Sequence, residues 1–481
     1  MTFLKIKSEE NVATVNGRLT TVVVFALFFS WLLAFPFEGQ ILYAVADFHG
    51  VSAHSFLFGA MAAHFAGLIA CGFFVRNMRA AKRLILISIA FCAVASGIFF
   101  FPPSVLWTAV LYPAAFLVGC CVAAWGYFFK GCTLKDDRIR TMADCLIFSN
   151  LLMILLNMTA IHLSPQIGLG FSILMLALAF IFATGLPKSE TLRGQVNQTS
   201  TKPDAVLAGI VGPLAFLCLF IVVITINSGL MYQVVNPAFA HLKWLTSWYW
   251  ALPYIAALFI MRNLPRTMNR SDTLYVAIAM IGISFILFII LGRSWAEYLA
   301  VNTLMMGACG VFDLFWWSIL GEMLDLHKNP AKIIGAGLAA NVLGVLLGGL
   351  IGNAIDAGVP DQNHTLLALG VVCFTLVMLP PLNRRLSKLL SGHVYLTALS
   401  EMPVQEQTKL IDELDIAEKL TAAESKVALL LIQGKAYKVI AKELFIAERT
   451  VKYHAGNIYS KAGVSSKTEL ANLILRNPNS N

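Results

Sequence analysis

Twelve apolar stretches, each about as long as the roughly 20 residues a helix needs to cross a bilayer, run through the first 382 positions of this 481-residue chain. They are 19–37, 53–75, 84–101, 104–129, 141–163, 166–186, 205–230, 243–261, 272–292, 296–320, 332–353 and 364–382. Hydrocarbon offers no partner for a backbone N–H or C=O, so stretches of this length fold as helices. Charge follows the same division. Residues 1–400 hold 40 of the 61 charged side chains, and residues 401–481 hold the other 21. With 58% of residues hydrophobic, a soluble enzyme, a disordered chain, a coiled coil and a disulfide scaffold are excluded. The chain reads as a long membrane part whose partner is the lipid bilayer, followed by a short soluble part.

Basic residues stay on the cytoplasmic side of a membrane. With both termini inside, the N-terminal segment, the inside loops and the stretch just after span 12, to Lys388, hold 22 Lys or Arg, and the outside segments only Lys243 and Arg293. The first apolar stretch lacks a small-residue cleavage site and is expected to be retained. The expected domains are a cytoplasmic segment (1–18), a first six-helix half (19–186), a cytoplasmic loop (187–204), a second six-helix half (205–382), a cytoplasmic linker (383–417) and a C-terminal domain (418–477). Two six-helix halves with basic loops at equivalent places resemble the major facilitator superfamily. The loop after span 2, GFFVRNMRAAKRL, departs from that family in lacking its acidic residue.

Polar residues inside spans are costly and are the first candidates for a site. Glu38, His64, Asn150, Asn157, Asn227, Gln233, Asn302 and Asn341 are the candidate contacts to a small molecule of unknown identity, with helix-to-helix hydrogen bonding as the alternative use of each. Asp144 and Asp313 lie nearer the cytoplasmic side, where loop Arg or Lys residues could pair with them. Aromatic residues near span ends, among them Trp107, Trp125, Trp244, Trp295, Tyr298, Trp316 and Trp317, are expected in interfacial belts. Gly344, Gly348 and Gly352 make two overlapping G-x-x-x-G steps, which permit close helix contact. The nine cysteines form no C-x-x-C pair, so neither zinc nor a disulfide framework is expected. No nucleophile with a base, metal cluster or phosphate loop is present. The expectation is no catalysis, no metal and no cofactor.

The soluble part reads as four short helices. Thr421 and Glu424 make a T-x-x-E capping box at the first. The second runs from Tyr437 to Leu444, and a tight turn leads to the third, from about Glu448 to Ala462. Gly463 stops it, and Ser465 or Ser466 opens a fourth. In the third helix Val451, Ala455, Ile458 and Ala462 recur on one face, suited to a core. The opposite face shows Arg449, Thr450, Lys452, Tyr453, Gly456, Asn457 and Lys461, basic and hydrogen-bonding groups suited to DNA. From residue 418 onward ten Lys or Arg outnumber five Glu, which favours phosphate.

These residues identify a relationship. L-T-x-x-E at 420–424, K-x-I-A-x-x-L at 438–444 and E-R-T-V-K-Y-H-x-x-N-I-Y-x-K-x-G-V at 448–464 resemble the LuxR-type (GerE or NarL-like) helix-turn-helix domain. The resemblance implies that Lys452 and Tyr453 face bases or backbone of double-stranded DNA, that Arg449, Thr450, Asn457 and Lys461 lie near phosphates, and that the fourth helix pairs two copies as a homodimer on DNA. Two departures stand out. Ala436 and Ala447 occupy places where a polar cap is usual, and Gly456 stands where a longer side chain is common. The whole chain resembles the membrane-bound LuxR-type one-component regulators found in gut Actinobacteria. The expected fold class is all-α, twelve transmembrane helices in a 6+6 major-facilitator-like arrangement followed by a four-helix LuxR-type domain. It implies residence in the bacterial cytoplasmic membrane and ligand-responsive transcription regulation. A secondary transporter carrying a regulatory domain is the alternative.

Overall fold

The computed structural model describes residues 2–188 except 38, 53, 135 and 136, residues 203–358 except 265–269, 325 and 326, and residues 420–464 except 434 and 436. It also describes 370, 373, 374, 377, 380, 381, 405, 411, 467, 470, 473 and 474. The chain divides into two units, residues 1–197 with 214–380, and residues 198–213 with 381–481.

The first unit is built from α1 (Thr2–Ala34), α2 (Gln40–Phe48), α3 (His54–Phe74), α4 (Met78–Gly97), α5 (Val105–Cys132), α6 (Arg138–His162), α7 (Pro165–Thr184), α8 (Pro203–Leu230, whose first residues cluster with the second unit), α9 (Ala251–Arg262), α10 (Arg270–Ile290), α11 (Trp295–Met323) and α12 (Pro330–Gly358). Ten described helical segments are long and apolar enough to cross a membrane, and Leu214–Leu230 is a shorter apolar one. They match spans 1 to 11 of the sequence reading. Span 12 lies outside the described residues except for scattered helical positions between 370 and 381. The central loop lies outside them from 189 to 202, and the linker does so apart from 405 and 411.

Three local features depart from the expected spans. No proline interrupts the polar first segment, and α1 extends back through it to Thr2. The connection after span 1 contains its own helix, α2. Span 8 is broken: a four-residue helix, Lys243–Thr246, gives way to turns before α9 begins at Ala251. Pro253 supplies the cause, because in a continuous helix its ring would strike the carbonyl of Tyr249 and it has no N–H to donate.

The aromatic belts require a correction. Trp107, Trp125, Tyr298, Trp316 and Trp317 are all buried in the unit and face no lipid. Trp125 packs on Phe25, with ring centroids 4.4 Å apart, and donates its indole N–H to the Thr21 carbonyl at 3.2 Å. Trp316 stacks on Trp317 at 5.0 Å. Only Trp244 and Trp295 among the seven are exposed. Bulky rings here fill space between helices, as dense packing demands.

The glycine steps of α12 meet α8. A Cβ on Gly348 would lie 2.2 Å from the Ile226 carbonyl oxygen, and one on Gly229 of α8 would lie 2.4 Å from the Val345 oxygen. Only hydrogen fits at either place. Gly348→Ala is expected to wedge the two helices apart and lower unit stability by about 1–3 kcal/mol, the usual cost of overpacking. A thermal melt of the purified protein in detergent reads this, and an unchanged melt would refute the contact.

At the end of the bundle that carries the basic loops, bonds join the two halves. Asp144 of α6 accepts from Arg18 of α1 at 2.8 Å and from Arg262 of α9 at 2.6 Å. Arg138, buried, donates to the Gly321 carbonyl at 2.7 Å. Asn329 donates to the carbonyls of Gly72 and Val75 at 3.0 and 2.9 Å. The expected loop pairing therefore holds for Asp144 but not for Asp313. That carboxylate accepts from Tyr254 Oη at 2.8 Å and Trp316 Nε1 at 3.1 Å. It stands ten residues before the end of α11 at Met323, about 15 Å from the loops at the helical rise.

Candidate nucleic-acid interface

Three helices of the second unit, α13 (Ala422–Ile432), α14 (Tyr437–Glu443) and α15 (Glu448–Ala462), enclose a small core. Val427, Leu431, Ile432, Ile440, Val451, Ala455 and Ile458 are buried together, and Leu470 and Ile474 join them from the place expected for the fourth helix. Val451, Ala455 and Ile458 are the apolar stripe read from the sequence, and Ala462 packs at its end. Burial of this stripe, more than helix propensity, holds so short a helix in place.

Caps fix the helix ends. Thr421 accepts from the Glu424 N–H, and the Glu424 carboxylate accepts from the Thr421 N–H, which is the expected capping box. Ala447 starts α15 without a side-chain cap, as its identity dictates. Glu448 in the first turn faces the positive end of the helix dipole instead. Gly463 ends α15 in the left-handed conformation at φ 66°, and the Val464 N–H bonds the Tyr459 carbonyl at 2.9 Å. The turn between α14 and α15 places Phe445 at φ 55° with its ring 95% exposed. Gly434, Ala436, Ser465 and Ser466 lie outside the described residues.

The face of α15 opposite the core presents Arg449, Lys452, Tyr453 and Gly456 exposed, with Thr450 and Asn457 half-buried beside them. A Cβ on Gly456 would touch nothing, so the gap in this face is open space. Two basic residues are already engaged. Lys452 pairs with Glu448 one turn earlier at 3.1 Å, both well exposed. Lys461 reaches across to the buried carboxylate of Glu424 at 2.6 Å. Sequence reasoning placed Lys461 among phosphate contacts. The structure ties it to the capping box, so one carboxylate staples the start of α13 to the end of α15. Neither Glu448 nor this staple was singled out from the sequence. The i, i+4 spacing of Glu448 and Lys452 was the available signal.

Lys461 and the Thr421 amide hold the Glu424 carboxyl down, at about 2. In the unfolded chain a glutamate titrates near 4.3. A depressed folded value means the stabilisation is whole above the unfolded pKa and drains away as pH falls toward the folded one. Glu424→Gln is therefore expected to destabilise the domain at pH 7 and to flatten its loss of stability between about pH 4.5 and 2. Chemical denaturation across that range reads both, and parallel curves for the two proteins would contradict the staple.

The candidate ligand residues of the membrane unit separate into two groups. Asn150 and Asn227 spend their amide N–H on carbonyls of their own helices, Leu146 and Ile224. Asn341 offers its backbone carbonyl to Thr225 Oγ1 at 3.2 Å. His64 is buried, with Nδ1 3.3 Å from the Ala115 carbonyl and its ring against Phe37. Asn157 and Asn302 are buried, and the Oδ1 of each has no partner. Glu38 and the side chain of Gln233 lie outside the described residues. No cluster of three metal-binding side chains occurs among the described residues.

Known proteins resemble the two units separately. The membrane unit has the fold of a major facilitator-type transporter. The crystal structure of the human organic anion transporter MFSD10 (TETRAN) aligns with 77% of this chain and 99% of its own, at a TM-score of 0.54 and 14% identity. Residues 418–474 match the family described as bacterial regulatory proteins, luxR family. The Bacillus subtilis transcriptional regulatory protein LiaR is 45% identical over 60 residues, 12% of this chain and 28% of LiaR. The chain thus spans little more than a quarter of that relative. The Bacillus subtilis spore germination protein GerE is 44% identical over 57 residues, which are 12% of this chain and 77% of GerE. With the helix-turn-helix geometry and this match to most of a small family member together, the chain belongs to the LuxR family of bacterial regulatory proteins, its DNA-binding domain joined to a transporter-fold membrane unit.

Proposed function

We propose that this protein is a membrane-bound one-component transcription regulator. The membrane unit takes up a small molecule in its polar interior, and the C-terminal domain binds promoter DNA through α15. The observation that carries this reading is the joining of a LuxR-type domain to a transporter fold in one chain. A ligand that binds one arrangement of the two halves more tightly than another shifts their balance, and the attached domain reads the shift. The bias of basic loops puts both termini and the DNA-binding domain in the cytoplasm of a bacterial cell, at the inner membrane. Two copies pair on a two-fold operator through the fourth helix. Catalysis, metal and cofactor play no part.

The test is a reporter driven by the promoters flanking the gene, in cells carrying the full chain, an α15 variant with Arg449 and Lys452 both changed to Ala, or no protein. Reporter output should depend on the full chain and be lost in the variant at equal membrane abundance. Identical output in all three strains would overturn the regulator reading. The transporter fold favours a second reading, a transporter that also regulates. It predicts substrate flux that survives deletion of residues 416–481.

A further inference from the structure

Among the buried polar atoms without partners in the described residues, three lie on three different elements: Asn157 Oδ1 on α6, Trp248 Nε1 in the break before α9, and Asn302 Oδ1 on α11. Hydrogen bonds between these elements show that they share one depth. Ser247 Oγ meets Met158 Sδ at 3.3 Å and His162 Nε2 at 3.1 Å. α6 and the broken span run in opposite directions, so Asn157 and Trp248, each the chain neighbour of a residue in the first bond, stand level. Tyr249 Oη meets Thr303 Oγ1 at 2.7 Å. The broken span and α11 run in the same direction, so Trp248 and Asn302 stand level too. The third side closes independently. Arg138 of α6 bonds the Gly321 carbonyl of α11, and Asn157 and Asn302 each lie 19 residues from that bond along their own helix.

A fourth unpartnered atom lies at this level. Gln40 donates its amide to the Thr246 carbonyl at 3.0 Å, which leaves its buried Oε1 without a partner. Native interiors leave few such groups, since each forfeits about 1–3 kcal/mol. Four at one level, contributed by both halves of the bundle, make a set of three acceptors and one donor, closed to solvent in this arrangement of the halves and satisfied once a ligand enters between them. Resting on the sensing reading above, we infer that Gln40, Asn157, Trp248 and Asn302 form the polar contacts of a ligand subsite near the end of the bundle opposite the basic loops. The four side chains carry no charge. Hydroxyl groups both donate and accept, and so match three acceptors and a donor on one small molecule. The rings of Trp244, Trp248 and Tyr249 meet edge to face in sequence, at 5.4 and 5.8 Å, and bring aromatic surface to this level, which suits a ring compound. The ligand class is an uncharged, hydroxyl-bearing ring compound.

The experiment is a thermal melt of the purified full chain in detergent against three neutral probes, methyl β-glucoside, myo-inositol and resorcinol, and against their charged counterparts glucuronate, inositol phosphate and dihydroxybenzoate. At least one neutral probe should raise the melting temperature saturably by about 2 °C or more, and its charged counterpart should not. The saturated and aromatic probes distinguish the two kinds of ring. Asn157→Leu and Asn302→Leu, both apolar and close to isosteric, should each raise the half-saturating concentration at least tenfold while leaving the unliganded melt within about 2 °C of wild type. A variant that melts early is replaced by Asn→Ser at the same position, which keeps a polar side chain but withdraws the acceptor from the subsite and should weaken binding equally. No shift with any probe, or equal shifts in wild type and variants, would overturn the subsite. Binding lost in the variants without any change in reporter output would leave the subsite standing and refute the sensing reading instead.

Discussion

Lys452→Ala should weaken operator binding by the full chain roughly tenfold or more, within the range of about 1–3 kcal/mol expected for a specific side-chain contact, and Glu448→Ala should strengthen it. The opposed signs follow from one ion pair. Lys452 and Glu448 lie 3.1 Å apart on an exposed helix face, where such a pair contributes little to folding. Bound to DNA, Lys452 must leave its partner for a base or phosphate, and Glu448 stays behind as a negative charge near a polyanion. Removing the carboxylate frees the lysine and lifts a repulsion. It also removes a favourable charge at the N-terminus of α15, a loss of about 0.3–1 kcal/mol to the fold, so binding and melting should move in opposite directions. Fluorescence anisotropy on labelled operator, repeated over several salt concentrations, separates the cases. If Lys452 contacts phosphate, its alanine variant should lose about one unit of salt slope. If it reads a base, the slope should hold while sequence preference relaxes. Unchanged affinity in Lys452→Ala would remove α15 from the interface.

Asp144→Asn should release the basic end of the membrane unit. One carboxylate there holds Arg18 of the first half and Arg262 of the second, at 2.8 and 2.6 Å, and all three side chains are at least two-thirds shielded from solvent. The neutral amide would leave two guanidinium groups facing each other with no charge between them, replacing attraction with repulsion. Breaking a shielded pair from one side costs about 3–5 kcal/mol when burial is complete, and the partial exposure here lowers that to roughly 1–3 kcal/mol, or a shift of about 5- to 150-fold in the balance of states. Cross-linking a cysteine pair placed across the two halves at this end measures the shift. Efficiency should fall in Asp144→Asn and recover in part when Arg262 is also made Gln. Equal cross-linking in wild type and Asp144→Asn would show that the carboxylate holds nothing closed.

Local regularities were legible in the sequence and their junctions were not. Apolar runs located the first eleven spans, because bilayer thickness sets their length, but not the extension of α1 to Thr2 or the break in span 8. The capping box at Thr421 and the apolar stripe of α15 were also visible, since both depend on neighbours a turn apart. Three-dimensional neighbours escaped. Nothing in a linear reading tells that Lys461 will find Glu424, 37 residues earlier, rather than a phosphate. Tryptophans near span ends read as belts because sequence gives depth and not direction, and Trp125 and Trp316 turned inward. Asn157 and Asn302 were candidates among eight. Only the burial of an unbonded oxygen separates them from Asn150 and Asn227, which bond to their own helices. Trp248 read as one more interfacial ring, because its neighbourhood, a helix broken by Pro253, looked like an ordinary continuous span.

Helix α6 links the two places where the halves hold each other. Asp144 lies near one end of it, and Asn157, Met158 and His162 near the other. The 13 residues from Asp144 to Asn157 measure about 20 Å at the helical rise. Between them stand no proline and no glycine, the residues at which helices most often bend. A rod of that stiffness acts as a lever. Any tilt imposed where the unpaired asparagine sits must appear as a displacement of the carboxylate that binds two arginines, without a relay of side chains in between.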